Sequence, residues 1–244
     1  MGVPYFTGRH TQMAGLRNTH EELTSAAIDL FLANGYEETT ADEIAEAAGV
    51  ARRTFFRYFR AKEDAVLPDH EGCLARVREL LERNDSGESP FATLTRASHL
   101  VLALYAQDPA KAVRRYELMR RVESLREREI MMTGRYQRVF AEYLYRVDTR
   151  IGDSDEDDDR LRHDVTAAAM VAAHNHVLRQ WIRDGGGGDV HARLDAALDL
   201  VEAAMRGWQG ENATDQGELL VVVARPGTPV WRLAQSIQSA AGSS

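Results

Sequence analysis

The stretch from Thr39 to Lys62, TTADEIAEAAGVARRTFFRYFRAK, limits what this chain can fold into more than any other. Thr40 followed by Glu43 is a capping box, in which hydroxyl and carboxylate each take a backbone N–H that the first helical turn leaves unpaired. Ile44, Ala45 and Ala48 then lie on one face at helical spacing. Gly49 ends that helix, because a residue without a Cβ enters the left-handed region cheaply. Val50 follows as a buried contact, and a second short helix is predicted from about Arg52 to Phe59. Two helices joined by a tight Gly-containing turn form the helix-turn-helix that reads DNA.

The second helix separates its side chains by chemistry. At roughly 100° per residue, Phe55 and Phe59 fall on one side with Phe56 at the margin. Arg53, Thr54, Arg57 and Tyr58 fall on the other, and Arg52 reaches outward from the first turn. Guanidinium groups can be bidentate to guanine, while Thr and Tyr suit phosphate oxygens and methyl groups. A solvated amphipathic helix would also carry arginines. Capping box, Gly turn and cation run in that order favour DNA.

The segments AAIDLFLANGYEETTADEIAEAAGV and TFFRYFRAKED carry a resemblance. Asn18 to Lys62 is similar to the DNA-binding domain of the tetracycline-repressor (TetR) family, and the local style resembles actinobacterial regulators. The resemblance implies an all-α fold, with an N-terminal three-helix DNA-binding domain followed by a helical ligand-binding and dimerisation domain. It implies a DNA-facing set of Thr40, Arg52, Arg53, Thr54, Phe56, Arg57, Tyr58 and Lys62. Lys62 would start the next helix beside a phosphate. Phe56 stands where the family pattern often has Tyr, so one phosphate-bonding hydroxyl is missing.

Taken as a total, the net charge of −8 argues against a nucleic-acid partner. Distribution decides otherwise. Residues 51–62 hold five cations and no acid, whereas 153–159 is almost wholly acidic. DNA responds to the local field over a Debye length of about 8 Å. With Cys73 as the single cysteine, no internal disulfide can form, and a cytoplasmic setting is expected. No apolar run approaches the ~20 residues of a membrane span.

The chain divides into a flexible arm over 1–18, the helix-turn-helix domain over 19–62, a helical regulatory and dimerisation domain over 63–210, and an extension over 211–244. The arm could touch phosphate or serve only as a disordered terminus. Helices are expected near 20–34, 91–106, 109–121, 124–147, 160–183 and 190–205, with Pro68 forcing a restart near Asp69. The acidic run 152–159 reads as a solvated loop. The extension holds a strand-like ELLVVVAR at 218–225 and a short helix from Thr228.

In such a family the effector cavity lies among the middle helices, and the candidates there are Arg96, His99, Tyr105, Met119, Met131, Met132 and Tyr136. The last two long helices pair with their copies. Ala169, Ala173, Leu194, Leu198 and Val201 are therefore expected at a homodimer interface, with packing inside one subunit as the alternative. His174 and His176 diverge by about 200° on a helix and cannot share a metal, and no cofactor is expected. No catalytic motif is present: there is no G-x-S-x-G elbow, P-loop or dinucleotide fingerprint. The expected function is a DNA-binding transcriptional regulator, a repressor released from a palindromic operator by a small hydrophobic effector. The alternatives are a regulator governed by its own abundance or a protein partner, and a helical binding protein or enzyme with a vestigial helix-turn-helix.

Overall fold

The chain was built as a computed structural model, which describes residues 8–83, 87–147 and 156–208. Among these residues every regular element is helical: α1 (Gly8–Asn34), α2 (Ala41–Ala47), α3 (Arg52–Tyr58), a 3₁₀ turn (Lys62–Ala65), α4 (His70–Glu82), α5 (Pro90–Ala106), α6 (Pro109–Arg121), α7 (Glu123–Val147), α8 (Glu156–Arg183) and α9 (Val190–Trp208). The described residues up to Met205 form one compact unit. The strand and short helix expected in the extension, and the acidic run up to residue 155, lie outside the described residues.

Local chemistry sets most of the helix starts. Asp69, Ser89 and Asp108 cap α4, α5 and α6 by accepting from the backbone N–H of Gly72, Ala92 and Lys111 at 2.9, 3.1 and 2.9 Å. Pro90 and Pro109 occupy first-turn positions, where no N–H is needed. Gly35 ends α1 at φ 97°, in the left-handed region that an L side chain avoids. Gly186, between α8 and α9, has φ 76°, and a Cβ there would lie 2.8 Å from the Cβ of Pro109.

Two boundaries differ from expectation. α1 begins at Gly8 rather than near residue 20, so most of the predicted arm is helical. Once a turn is formed, each further residue fixed adds a hydrogen bond that offsets its lost backbone entropy, and the scattered glycines at 8 and 15 do not interrupt the helix. α8 begins at Glu156, taking in the end of the acidic run. Carboxylates favour a helix N-terminus, where the backbone dipole is positive.

The apolar residues gather into two clusters. One holds Leu23, Ile28 and Phe31 of α1, Ile44 of α2, Phe55 and Phe59, and Ala65 and Val66, all buried. The other joins α4, α5, α7, α8 and α9 around Leu74, Leu102, Phe140, Met170, Trp181 and Leu194. The division is not clean at residue 62. Leu118 of α6 and Leu125 of α7, 1% and 0% exposed, belong to the first cluster. α6 packs on α1 as well as on α5, α7 and α8, so one helix touches both cores.

Candidate nucleic-acid interface and effector cavity

The helix-turn-helix assembles from its own residues. The hydroxyl of Thr40 accepts from the Glu43 N–H at 3.3 Å, while the Glu43 carboxylate accepts from the Thr40 N–H at 2.7 Å. These bonds hold the Glu43 carboxyl below the ordinary carboxylate range. Gly49 turns the chain at φ 68°. Phe55 and Phe59 then face inward, 0% and 5% exposed, and burial of rings this size contributes about 2 kcal/mol each. Val50, expected to be buried, is only half-buried against the same cluster.

That packing sets the outward face. Arg52, Arg53 and Arg57 are exposed, Thr54 and Tyr58 are half-buried, and Phe56 is 46% exposed. Arg52 pairs with Asp42 at 2.8 Å, and its guanidinium carbon lies 5.4 Å from the Phe56 ring centroid. Arg57 stacks on the Tyr58 ring at 5.0 Å, and the Tyr58 ring and that of His20 in α1 meet in a T-shaped contact with centroids 6.0 Å apart. Arg53 has no carboxylate partner among the described residues. The face offers a free guanidinium, a hydroxyl, and two guanidinium groups each laid on an aromatic ring.

Lys62 sits differently from the position expected of it. Its ammonium turns inward, donating to the carbonyls of Tyr36, Glu37 and Thr39 at 2.6, 3.3 and 3.0 Å. It also lies 4.3 Å from the centroid of the Tyr36 ring. Three donors are thus committed to the loop between α1 and α2, which leaves none for phosphate. Sequence spacing gives no sign of this, because the acceptors are backbone atoms more than twenty residues away.

Among the middle helices, α5, α6, α7 and α8 enclose a cavity of about 470 Å³, whose lining includes Ala112, Tyr116, Met119, Ile130, Leu178 and Ile182. A smaller space of about 30 Å³ sits beside it, reached by His70, Tyr136, Phe140 and His174. The two share Tyr105, Glu129, Thr133, Asn175 and Leu178. Of the expected pocket residues, Tyr105, Met119 and Tyr136 line these spaces. Arg96 is instead paired with Glu88 at the surface (2.6 Å), and His99 is held at the surface between His191 (2.9 Å) and Asp195 (2.6 Å). Met131, 63% exposed, and Met132 border a groove beside Tyr58 and Arg60. Their α-helical phase turns them away from the cavity.

A polar chain that the sequence did not disclose crosses the cavity wall. The Tyr105 hydroxyl donates to Glu129, whose other carboxylate oxygen lies 3.0 Å from His70 Nε2. Burial pushes the Glu129 carboxyl up, but bonds from His70 and Tyr105 outweigh it and leave the acid below its ordinary value. Burial also raises the Tyr105 phenol well above its ordinary value. Arg115, 7% exposed, lines the cavity and donates from Nε to the Val66 carbonyl, beside the helix-turn-helix core. Arg128 reaches from α7 to Asp64 at 2.8 Å, and Arg114 pairs with Asp29 of α1. The cavity wall and the DNA-facing head are therefore joined by buried or bonded side chains.

The expected interface residues divide. Leu194 and Leu198, 0% and 1% exposed, pack inside the protomer and are not available to a second copy. Ala169, Ala173 and Val201 are half-buried. Instead Leu200 of α9 stands 73% exposed and Leu161 of α8 57% exposed, with Ala172 exposed on the same face of α8 as Leu161. The apolar stripe on α9 is real, but its partner is the same chain. No helix among the described residues is long and apolar enough to cross a membrane, and they hold no His, Cys, Asp and Glu cluster suited to a metal ion.

Comparison with known proteins follows the same division. The family description "Bacterial regulatory proteins, tetR family" matches residues 23–67, and the description "MftR C-terminal domain" matches residues 88–206. The HTH-type transcriptional regulator TcmR of Streptomyces glaucescens is 33% identical over 225 residues, covering 87% of this chain and 89% of TcmR. The regulator MftR of Mycobacterium tuberculosis is 29% identical over 201 residues, covering 80% of this chain and 96% of MftR. Among solved structures, the fatty acid degradation regulator FadR of Bacillus halodurans superposes with a TM-score of 0.54 at 20% identity, covering 77% of this chain and 96% of FadR. That likeness extends the shared helical fold across both clusters.

Proposed function

The chain belongs to the tetR family of bacterial regulatory proteins, and from that premise we propose that it is a repressor, released from a palindromic operator when a small hydrophobic effector fills the α5–α8 cavity. At about 470 Å³ the cavity falls within the range of small-molecule sites. Its place beside α6 carries the reading. Arg115 lines the cavity and bonds Val66, while Leu118 of the same helix packs in the head core. A molecule that shifts α6 must shift the seat of α3.

Two copies of α3 are needed, since one seven-residue helix touches too few base pairs for genomic specificity. In a two-fold dimer they must lie about 34–36 Å apart to enter successive major grooves. The outward stripe of Leu161 and Ala172 on α8 and Leu200 on α9 supports a dimer through this end. Arg53 and Thr54 would read bases, and Arg52, Arg57 and Tyr58 would hold phosphates. The effector weakens operator binding by its preference for the other spacing of heads, and by no more.

Genomic footprinting with the purified full chain tests this directly. A two-fold symmetric site with half-sites one helical turn apart is expected. Binding without sequence preference would overturn the reading.

A further inference from the structure

The walls of the effector cavity differ in charge from one end to the other. Five arginines line it, Arg115, Arg120, Arg126, Arg179 and Arg183, against one carboxylate, Glu129. Glu129 offsets at most one of these charges, chiefly that of its buried neighbour Arg115, and both of its oxygens already accept from Tyr105 and His70. Arg126 has Glu123 at 3.0 Å. Arg120, Arg179 and Arg183 are exposed, with no carboxylate partner among the described residues. In a chain of net charge −8, gathering this many guanidinium groups at one opening concentrates positive potential where an approaching molecule enters.

The inner end has the opposite character. His174 is 6% exposed, and its Nε2 is buried without a hydrogen-bond partner while lining the small space of about 30 Å³. Burial drops the ring to a pKa of about 4, so it is a neutral imidazole near neutral pH. Such a group bonds a hydroxyl or a carbonyl but offers no charge. The apolar lining of the cavity comes from Ala112, Tyr116, Met119, Leu178 and Ile182. An unpaired buried nitrogen is costly unless a ligand or water meets it.

Resting on the reading of this cavity as the effector site, we propose that the effector is an amphipathic organic anion. Its carboxylate or phosphate oxygens bind Arg120, Arg179 and Arg183 at the mouth, its apolar body lies along Met119 and Ile182, and an uncharged oxygen at its far end meets His174. Arg179 and Arg183 are four residues apart on α8, so both can serve one anionic group. Charge-assisted bonds of this kind are stronger than neutral ones and weaken with salt.

The test uses chain-matched probes on the full-length protein: dodecanoate, dodecyl phosphate, dodecanol and dodecyltrimethylammonium, with binding measured by calorimetry below their micelle concentrations. Both anions are expected to bind about tenfold or more tightly than dodecanol, and the ammonium most weakly. The double variant Arg179→Gln/Arg183→Gln, checked for an unchanged melting curve, is expected to lose the preference for the anions over dodecanol. Adding an ω-hydroxyl to dodecanoate should strengthen binding in the wild type and not in His174→Phe. Equal binding of dodecanol and dodecanoate, a preference that survives the double variant, or no binding by either anion would each overturn the proposal. Operator release is scored separately. Tight dodecanoate binding that leaves the operator bound removes the effector reading while the anion preference stands, and release by dodecanol alone does the reverse.

Discussion

The ammonium of Lys62 donates to the Tyr36 carbonyl at 2.6 Å and rests 4.3 Å from the centre of the Tyr36 ring. With the carbonyls of Glu37 and Thr39 as further acceptors, one side chain closes the loop that delivers α2. Lys62→Ala would leave these carbonyls without their charged donor, costing about 2 kcal/mol and roughly 4–8 °C in melting temperature. Because the ammonium is not at the phosphates, the salt dependence of DNA binding by the folded variant should be that of the wild type. A salt slope reduced by about one unit would place Lys62 on a phosphate instead.

Arg53 is the recognition-helix guanidinium that neither pairs with Asp42 nor lies on a ring of α3. Replacing it with Ala is expected to cost about 1–3 kcal/mol on the cognate operator and to relax one base position. Arg52→Ala should lose less selectivity, since that side chain is already held by Asp42 and Phe56. Binding-site selection on both variants decides it, and an unchanged preference in Arg53→Ala removes this residue from the readout.

Leu198 and Leu200 give contrasting predictions for the carboxyl-terminal helix. Leu198 is 1% exposed, so Leu198→Asp buries an unpaired carboxylate and should prevent folding. Leu200 is 73% exposed, so Leu200→Asp should leave a folded chain that sediments as a monomer and binds operator weakly. A dimeric Leu200→Asp protein with full operator affinity would move the interface elsewhere.

His174 should make stability depend on acid. Burial lowers its pKa from 6.5 to about 4 in the fold. As pH falls through that window the unfolded chain takes a proton that the folded chain refuses. The full stability is present above 6.5, and about 3 kcal/mol is lost by pH 4. The neighbouring Glu129 also loses stabilisation in acid, with its carboxyl held low by His70 and Tyr105. The His174 contribution is therefore read as a difference. Chemical denaturation at pH 7 and pH 4 should show His174→Leu losing less stability than the wild type. Equal losses in both proteins would mean that His174 takes up its proton without penalty.

Near-neighbour chemistry made much of the head legible in the sequence. Thr40 and Glu43, Gly49, and the inward pair Phe55 and Phe59 act within a few residues of one another, so spacing alone placed them and the outward arginines with them. The caps at Asp69, Ser89 and Asp108 are of the same kind. The regulatory half was legible only as a set of apolar stripes. Helical period shows that Leu194 and Leu198 must face something apolar, but burial within one chain or between two removes the same area from water. The tertiary structure alone settled it, by burying both leucines in one cluster with apolar side chains of the same chain, among them Leu102, Met170 and Trp181. Likewise Lys62, Arg115 and Glu129 are ordinary surface residue types by sequence. What commits them is a carbonyl or ring brought from a distant loop or helix, more than twenty residues away, because a charge can be buried only where its partners arrive with it.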